Sequence, residues 1–133
     1  MLKLVDVHQK FEIGTVNEKH ILRGINLNVK EGDFITIIGG NGAGKSTMLN
    51  AISGSNAITS GKIIIDDIDL TKSPEYKRAK YIGRVFQDTR MGTASDLSIE
   101  ENLAIAYRRG KPRTLKFGIT SKEKEMYKEI LAN

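Results

Sequence analysis

Gly39-Gly40-Asn41-Gly42-Ala43-Gly44-Lys45-Ser46-Thr47 is the stretch on which the fold turns. It satisfies G-x-x-x-x-G-K-[ST], the phosphate-binding loop or Walker A pattern. A loop that wraps a phosphate must turn its backbone N–H groups inward, and glycines permit both the dihedrals and the close approach of main chain to oxygen. The helix opening near Gly44 adds unpaired N–H groups and the positive end of its dipole. Gly39, Asn41, Gly42, Ala43 and Gly44 therefore line the cage. Lys45 is placed to reach β- and γ-phosphate oxygens, Ser46 to enter the shell of a Mg2+ ion, and Thr47 to bond the α-phosphate. No dinucleotide fingerprint can be read here, because Lys45 stands where the third glycine of G-x-G-x-x-G would fall.

The flanks fit a strand–loop–helix arrangement. Phe34-Ile35-Thr36-Ile37-Ile38 reads as a strand covered on both faces, as in a parallel core. Met48, Leu49 and Ile52 recur at helical spacing up to a stop at Gly54. Upstream, Leu2, Leu4 and Val7 suggest an opening strand. Ile25, Leu27 and Val29 alternate with polar positions, and Glu31-Gly32-Asp33 supplies a turn. Downstream, Ile63–Ile65 reads as a short strand closed by Asp66-Asp67. Ser73-Pro74 reads as an N-cap and first helical residue, and Val85-Phe86 as a buried strand. Ser98 and Glu101 form a capping box, and Thr120 with Glu123 repeats it. The last helix carries an expected apolar stripe of Met126, Ile130 and Leu131.

Composition limits the remaining possibilities. With 39% hydrophobic and 28% charged residues over 133 positions, the chain suits one ordinary α/β domain. It contains no cysteine, which removes disulfide frameworks and thiolate chemistry. Its longest apolar run is the five residues Leu103–Tyr107, far short of the roughly 18 that span a bilayer. The net charge of +5 concentrates in Arg108, Arg109, Lys111, Arg113, Lys116 and Lys122, where no acid intervenes. A nucleic-acid face is one reading of that tract; a solvated helix end and loop is the one preferred, since no stacking aromatics or known nucleic-acid motif accompany it. His8 and His20 match no metal-ligand spacing and are expected in ordinary polar contacts.

At this point the sequence resembles the ATP-binding subunit of an ABC transporter. The likeness is carried by Lys10-Phe11, Arg23-Gly24-Ile25-Asn26-Leu27-Asn28-Val29, Glu31-Gly32-Asp33-Phe34 and the loop at 39–47. It continues through Ser60-Gly61-Lys62-Ile63 with Ile65-Asp66, Tyr81–Asp88, and Leu97–Leu103. The resemblance implies a P-loop NTPase (RecA-like) α/β core with an antiparallel β-subdomain, ending before the rest of the helical subdomain and core sheet. It implies Phe11 as the face on which adenine stacks. It implies Gln87 as the residue reaching Mg2+ or the attacking water, and residues 88–96 as a loop toward a permease. Ile63–Asp67 imitates a Walker B strand, but its context assigns it to the antiparallel subdomain.

Within these 133 residues there is no L-S-G-G-Q signature, no Asp-Glu pair closing a long apolar strand, and no histidine after a later strand. Residues 1–133 are therefore expected to be a partial ATP-binding domain. It would bind ATP weakly or not at all, without sustained turnover, because a water nucleophile needs a carboxylate to orient it. The full protein is expected to form a head-to-tail homodimer on membrane permease subunits, at the cytoplasmic face of the membrane. Two other readings remain open: a short nucleotide-binding regulatory module, and an ABC-type ATPase acting on nucleic acid.

Overall fold

The computed structural model describes residues 1–111 and 118–132 in two units, residues 1–82 and residues 83–133. The first unit is built on an antiparallel sheet of β1 (Leu2–Phe11), β2 (Lys19–Val29), β3 (Ser60–Ile65) and β4 (Ile68–Asp69), in the order β2-β1-β3-β4. Leu2 opposes Val29 on one side and Ile65 on the other, so β1 is the central strand. The register slips between Leu4 and Val7, where Asp6 takes φ 47° and donates its N–H to Asn26 Oδ1 at 2.9 Å. This bulge resets the alternation, so that Leu4 and Val7, three apart, are both buried.

Helix α1 (Lys45–Ser53) lies against the sheet. Leu4, Val7, Leu22, Ala51 and Ile63 form the core, with Leu2, Ile21, Ile25, Leu27, Met48, Ile52 and Ile58 packed around them. Burial of Leu4, Val7, Leu22 and Ile63 contributes about 1.5–3 kcal/mol each. Gly54 ends α1 in the left-handed conformation at φ 86°, its N–H returning to Asn50 O at 3.0 Å, as the sequence predicted. Leu49, assigned to the apolar face, is instead half exposed. Asp66 and Asp67 form the two-residue turn between β3 and β4, both at positive φ, and Asp66 pairs with the amino terminus. They belong to an antiparallel hairpin, the subdomain to which the sequence assigned them.

Three sequence expectations are corrected. Phe34–Ile38 forms no strand, and Phe34 and Ile38 are 94% and 90% exposed. A parallel strand is held by ladders to segments distant in sequence, and no described strand lies beside this one. Val85-Phe86 is likewise not a strand, and Val85 is exposed. Ser73 does not cap α2 (Glu75–Arg78); Pro74 occupies the N-cap position with extended backbone.

The second unit contains a 3-10 turn at Thr89–Met91, helix α3 (Ile99–Tyr107) and helix α4 (Ser121–Ala132). Ser98 and Glu101 make the reciprocal capping box, and Thr120 and Glu123 make the same exchange, with Glu123 Oε2 accepting the Thr120 N–H at 2.8 Å. The buried residue of α4 is Tyr127, edge-on to Tyr107. Ile130 and Leu131 are exposed, so the expected stripe of α4 is displaced toward the aromatic contact.

Candidate functional site

The glycine-rich loop emerges between the exposed 34–38 segment and α1. Gly44 is its fixed point. It is buried, takes φ 89°, and a Cβ there would lie 3.0 Å from Ile21 Cγ2 and 3.4 Å from Leu22 Cδ2 of β2. The loop folds back on itself: Ala43 N–H donates to Gly40 O at 3.3 Å, and a Cβ on Gly39 would come within 3.1 Å of the Ala43 methyl. Lys45 Nζ donates to Gly39 O at 2.7 Å and Gly40 O at 2.8 Å, bringing a positive charge across the loop from its far end.

Helix geometry leaves the first four N–H groups of α1 without intrahelical acceptors. Gly44 offers no side-chain cap, and no acidic residue occupies the first turn. The uncapped N-terminus, its dipole and the Lys45 ammonium together favour an anion. Ser46, exposed, and Thr47, half-buried, share that first turn with the free amides. Asn41 and Gly42 form the exposed crest. The loop thus brings Gly39, Asn41, Gly42, Ala43, Gly44, Lys45, Ser46 and Thr47 together at the uncapped start of α1.

Phe11 ends β1 opposite Lys19 and is 38% exposed, which leaves ring surface available. Gln9, two residues earlier, pairs with Leu22, the residue behind Gly44, so the β1–β2 hairpin connects Phe11 to the loop. Glu18 closes the hairpin: its carboxylate accepts the Gly14 N–H at 3.0 Å and the Lys10 ammonium at 3.0 Å. Those two contacts, the amide first, hold Glu18 below the usual glutamate range. Gln87 is exposed and lies in the second unit, just before Asp88, which accepts the Arg90 N–H.

His8 Nδ1 and His20 Nε2 lie 3.0 Å apart, and Asp6 Oδ1 is 3.0 Å from His8 Nε2, so both histidines make polar contacts as expected. The ring centroids are 5.2 Å apart, which places the two nitrogens head-on along one hydrogen bond. Desolvation, then the charges of Lys10, His8 and Arg23, push His20 below the ordinary imidazole range. In the basic tract, Arg108 donates to Gly118 O at 2.7 Å and pairs with Glu123 at 3.4 Å, while Lys111 lies 3.5 Å from the centre of the Tyr107 ring. These are internal contacts, in keeping with the reading of a helix end; Arg113 and Lys116 lie outside the described residues.

One organising residue escaped the sequence reading. Asn102 Oδ1 accepts the Ala94 N–H at 2.8 Å, and its Nδ2 donates to Ala94 O, Leu97 O and Ser98 O at 3.0–3.2 Å. The signal was an asparagine in the first turn of a helix, a residue type that favours local backbone contacts over helix interiors.

A family model described as ABC transporter matches residues 22–133. The tyrosine transport ATP-binding protein of Clostridioides difficile is 38% identical over 116 residues, covering 87% of this chain and 46% of that protein. The macrolide export ATP-binding/permease protein MacB of Campylobacter fetus is 36% identical over 100 residues, 72% of this chain and 15% of that one. Among solved structures, a dimeric ATP-binding cassette in a post-hydrolysis state with ADP and Pi superposes with a TM-score of 0.78 at 29% identity, over 99% of this chain and 56% of that one. The chain thus spans about half the length of the first of these relatives and of that cassette.

Proposed function

This chain belongs to the ABC transporter ATP-binding family, and from that premise we propose that it is the nucleotide-gripping part of a transporter's ATP-binding subunit. The observation that carries this is the closed glycine loop with Lys45 folded across it and an uncapped helix N-terminus behind. The amides of residues 39–47 would cradle the phosphates of ATP. Lys45 would exchange its two carbonyl partners for phosphate oxygens, and Ser46 would supply a hydroxyl to Mg2+, which neutralises phosphate charge when bound. Phe11 would take the adenine ring. Gln87 would orient water or metal and carry the signal to permease subunits, with residues 88–96 as the loop that meets them. Positioning and charge do most of the work in phosphoryl transfer, so this cage is a binding device first.

The chain by itself would form part of an ATP-binding domain, bind nucleotide weakly and not sustain hydrolysis. The rest of the machinery would come from a full-length protein in a head-to-tail homodimer, at the inner face of the membrane through its permease. The test is a titration of the 15N-labelled chain with Mg-ATP and with inorganic tripolyphosphate, in wild type and Lys45→Ala. Amide shifts confined to residues 39–48 with both ligands, and lost in the variant, are expected. Absence of any response in that loop at saturating ligand would refute the cage. Sustained hydrolysis that depends on Lys45 would refute the expectation of inactivity.

A further inference from the structure

Arg78, at the end of α2, is the charged side chain buried in the first unit, at 2% exposure. A buried guanidinium keeps its charge and must be hydrogen-bonded to be tolerated. Here all of its bonds go to main-chain carbonyls. Nη1 donates to Ala51 O at 2.8 Å and Ile52 O at 2.9 Å, Nε to Ser73 O at 2.8 Å, and Nη2 to Thr71 O at 3.0 Å.

The four acceptors come from two places. Ala51 and Ile52 lie in the last turn of α1, whose carbonyls lack intrahelical partners and form the negative end of the dipole. That turn contains no basic residue of its own. Thr71 and Ser73 lie in the connection between β4 and α2. The guanidinium therefore joins the end of α1 to that connection, and Gly54 leaves it room, since a Cβ there would lie 2.8 Å from Nε. The opposite end of α1 is the phosphate loop. Nine helical residues make a rod about 13 Å long, short and stiff enough for its C-terminal anchor to set the height of its first turn. The loop has few other fixings: residues 39–43 are exposed, and of its glycines it is Gly44 that lies against β2.

We infer that Arg78 is a positioning residue for the phosphate site: by bracing the far end of α1 it sets where the Lys45 ammonium and the amides of Lys45, Ser46 and Thr47 stand. The inference rests on the phosphate-loop reading above. Lysine at this position keeps the charge but loses the planar fork that reaches both sets of carbonyls.

The test compares wild type, Arg78→Lys and Arg78→Ala as full 133-residue chains by residue-resolved amide exchange and by titration with Mg2+-tripolyphosphate and with adenosine. With sheet amides protected as in wild type, both variants should show faster exchange through residues 48–53. Tripolyphosphate affinity should fall about tenfold, the scale of one lost charge-assisted bond, with Arg78→Lys less affected than Arg78→Ala. Any adenosine response near Phe11 should stay unchanged, which a general loss of structure would not allow. Unaltered α1 exchange, with a tripolyphosphate response within about twofold of wild type, overturns the inference. So does loss of sheet protection in both variants, which would make Arg78 a global stabiliser. If wild type fails to respond to tripolyphosphate, the phosphate-loop reading fails, and the exchange comparison still decides whether Arg78 braces α1.

Discussion

Replacing Gly44 by alanine tests the geometry of the loop in one atom. At φ 89° an L-residue sits in the left-handed region, which costs about 1–2 kcal/mol. The new methyl would also meet Ile21 Cγ2 at 3.0 Å and Leu22 Cδ2 at 3.4 Å. Such overpacking against a built core adds about 1–3 kcal/mol, so the sum is roughly 2–4 kcal/mol, allowing for partial relief by side-chain movement. Two neighbours separate the contributions. Gly42 has φ 80° and nothing within 4 Å, so its alanine variant should lose only the conformational part, about 1–2 kcal/mol. Gly40 has neither constraint, and alanine there should leave stability within about 0.5 kcal/mol of wild type or raise it slightly. Urea unfolding followed by far-ultraviolet circular dichroism would rank the three. A Gly44→Ala variant no less stable than Gly42→Ala would refute the claim that the loop is pinned on β2.

His20 has its imidazole pKa lowered by desolvation and neighbouring cations. Its contribution is therefore full above the unfolded imidazole value and is lost as pH falls through the folded one. Unfolding midpoints should drop between pH 7.5 and 5, and drop less in His20→Gln; identical profiles would contradict this. Glu101 is held low first by the Ser98 hydroxyl and then by the Ser98 N–H, so the α3 cap is present above the unfolded carboxylate range and is lost as pH falls through the folded value. Helicity in that acid window should decline less in Ser98→Ala, which begins lower at pH 7. Asn102→Ala removes the contacts that tie down residues 94–98, and amide exchange there should accelerate while α4 stays protected; equal exchange would mean the loop holds itself.

The sequence by itself determined the features whose causes are local. The glycine loop, the helix it opens, the Gly54 stop and the two capping boxes each depend on hydrogen bonds closed within a few residues, so residue type and spacing suffice. Pieces of the antiparallel strands were legible as well, at residues 2–7, 25–29 and 63–65 with the Asp66-Asp67 turn, while their antiparallel arrangement was implied only by the family resemblance. Tertiary structure decided what depends on a distant neighbour. Phe34–Ile38 has the composition of a buried strand and stands exposed because burial belongs to the partner as much as to the strand. Tyr127, not Ile130 or Leu131, is buried in α4 because Tyr107 supplies the matching ring. No motif in the sequence singles out Arg78, and only the convergence of four carbonyls from separate segments explains its burial. A one-dimensional pattern records what each residue favours locally, while long-range packing selects which of those preferences is met.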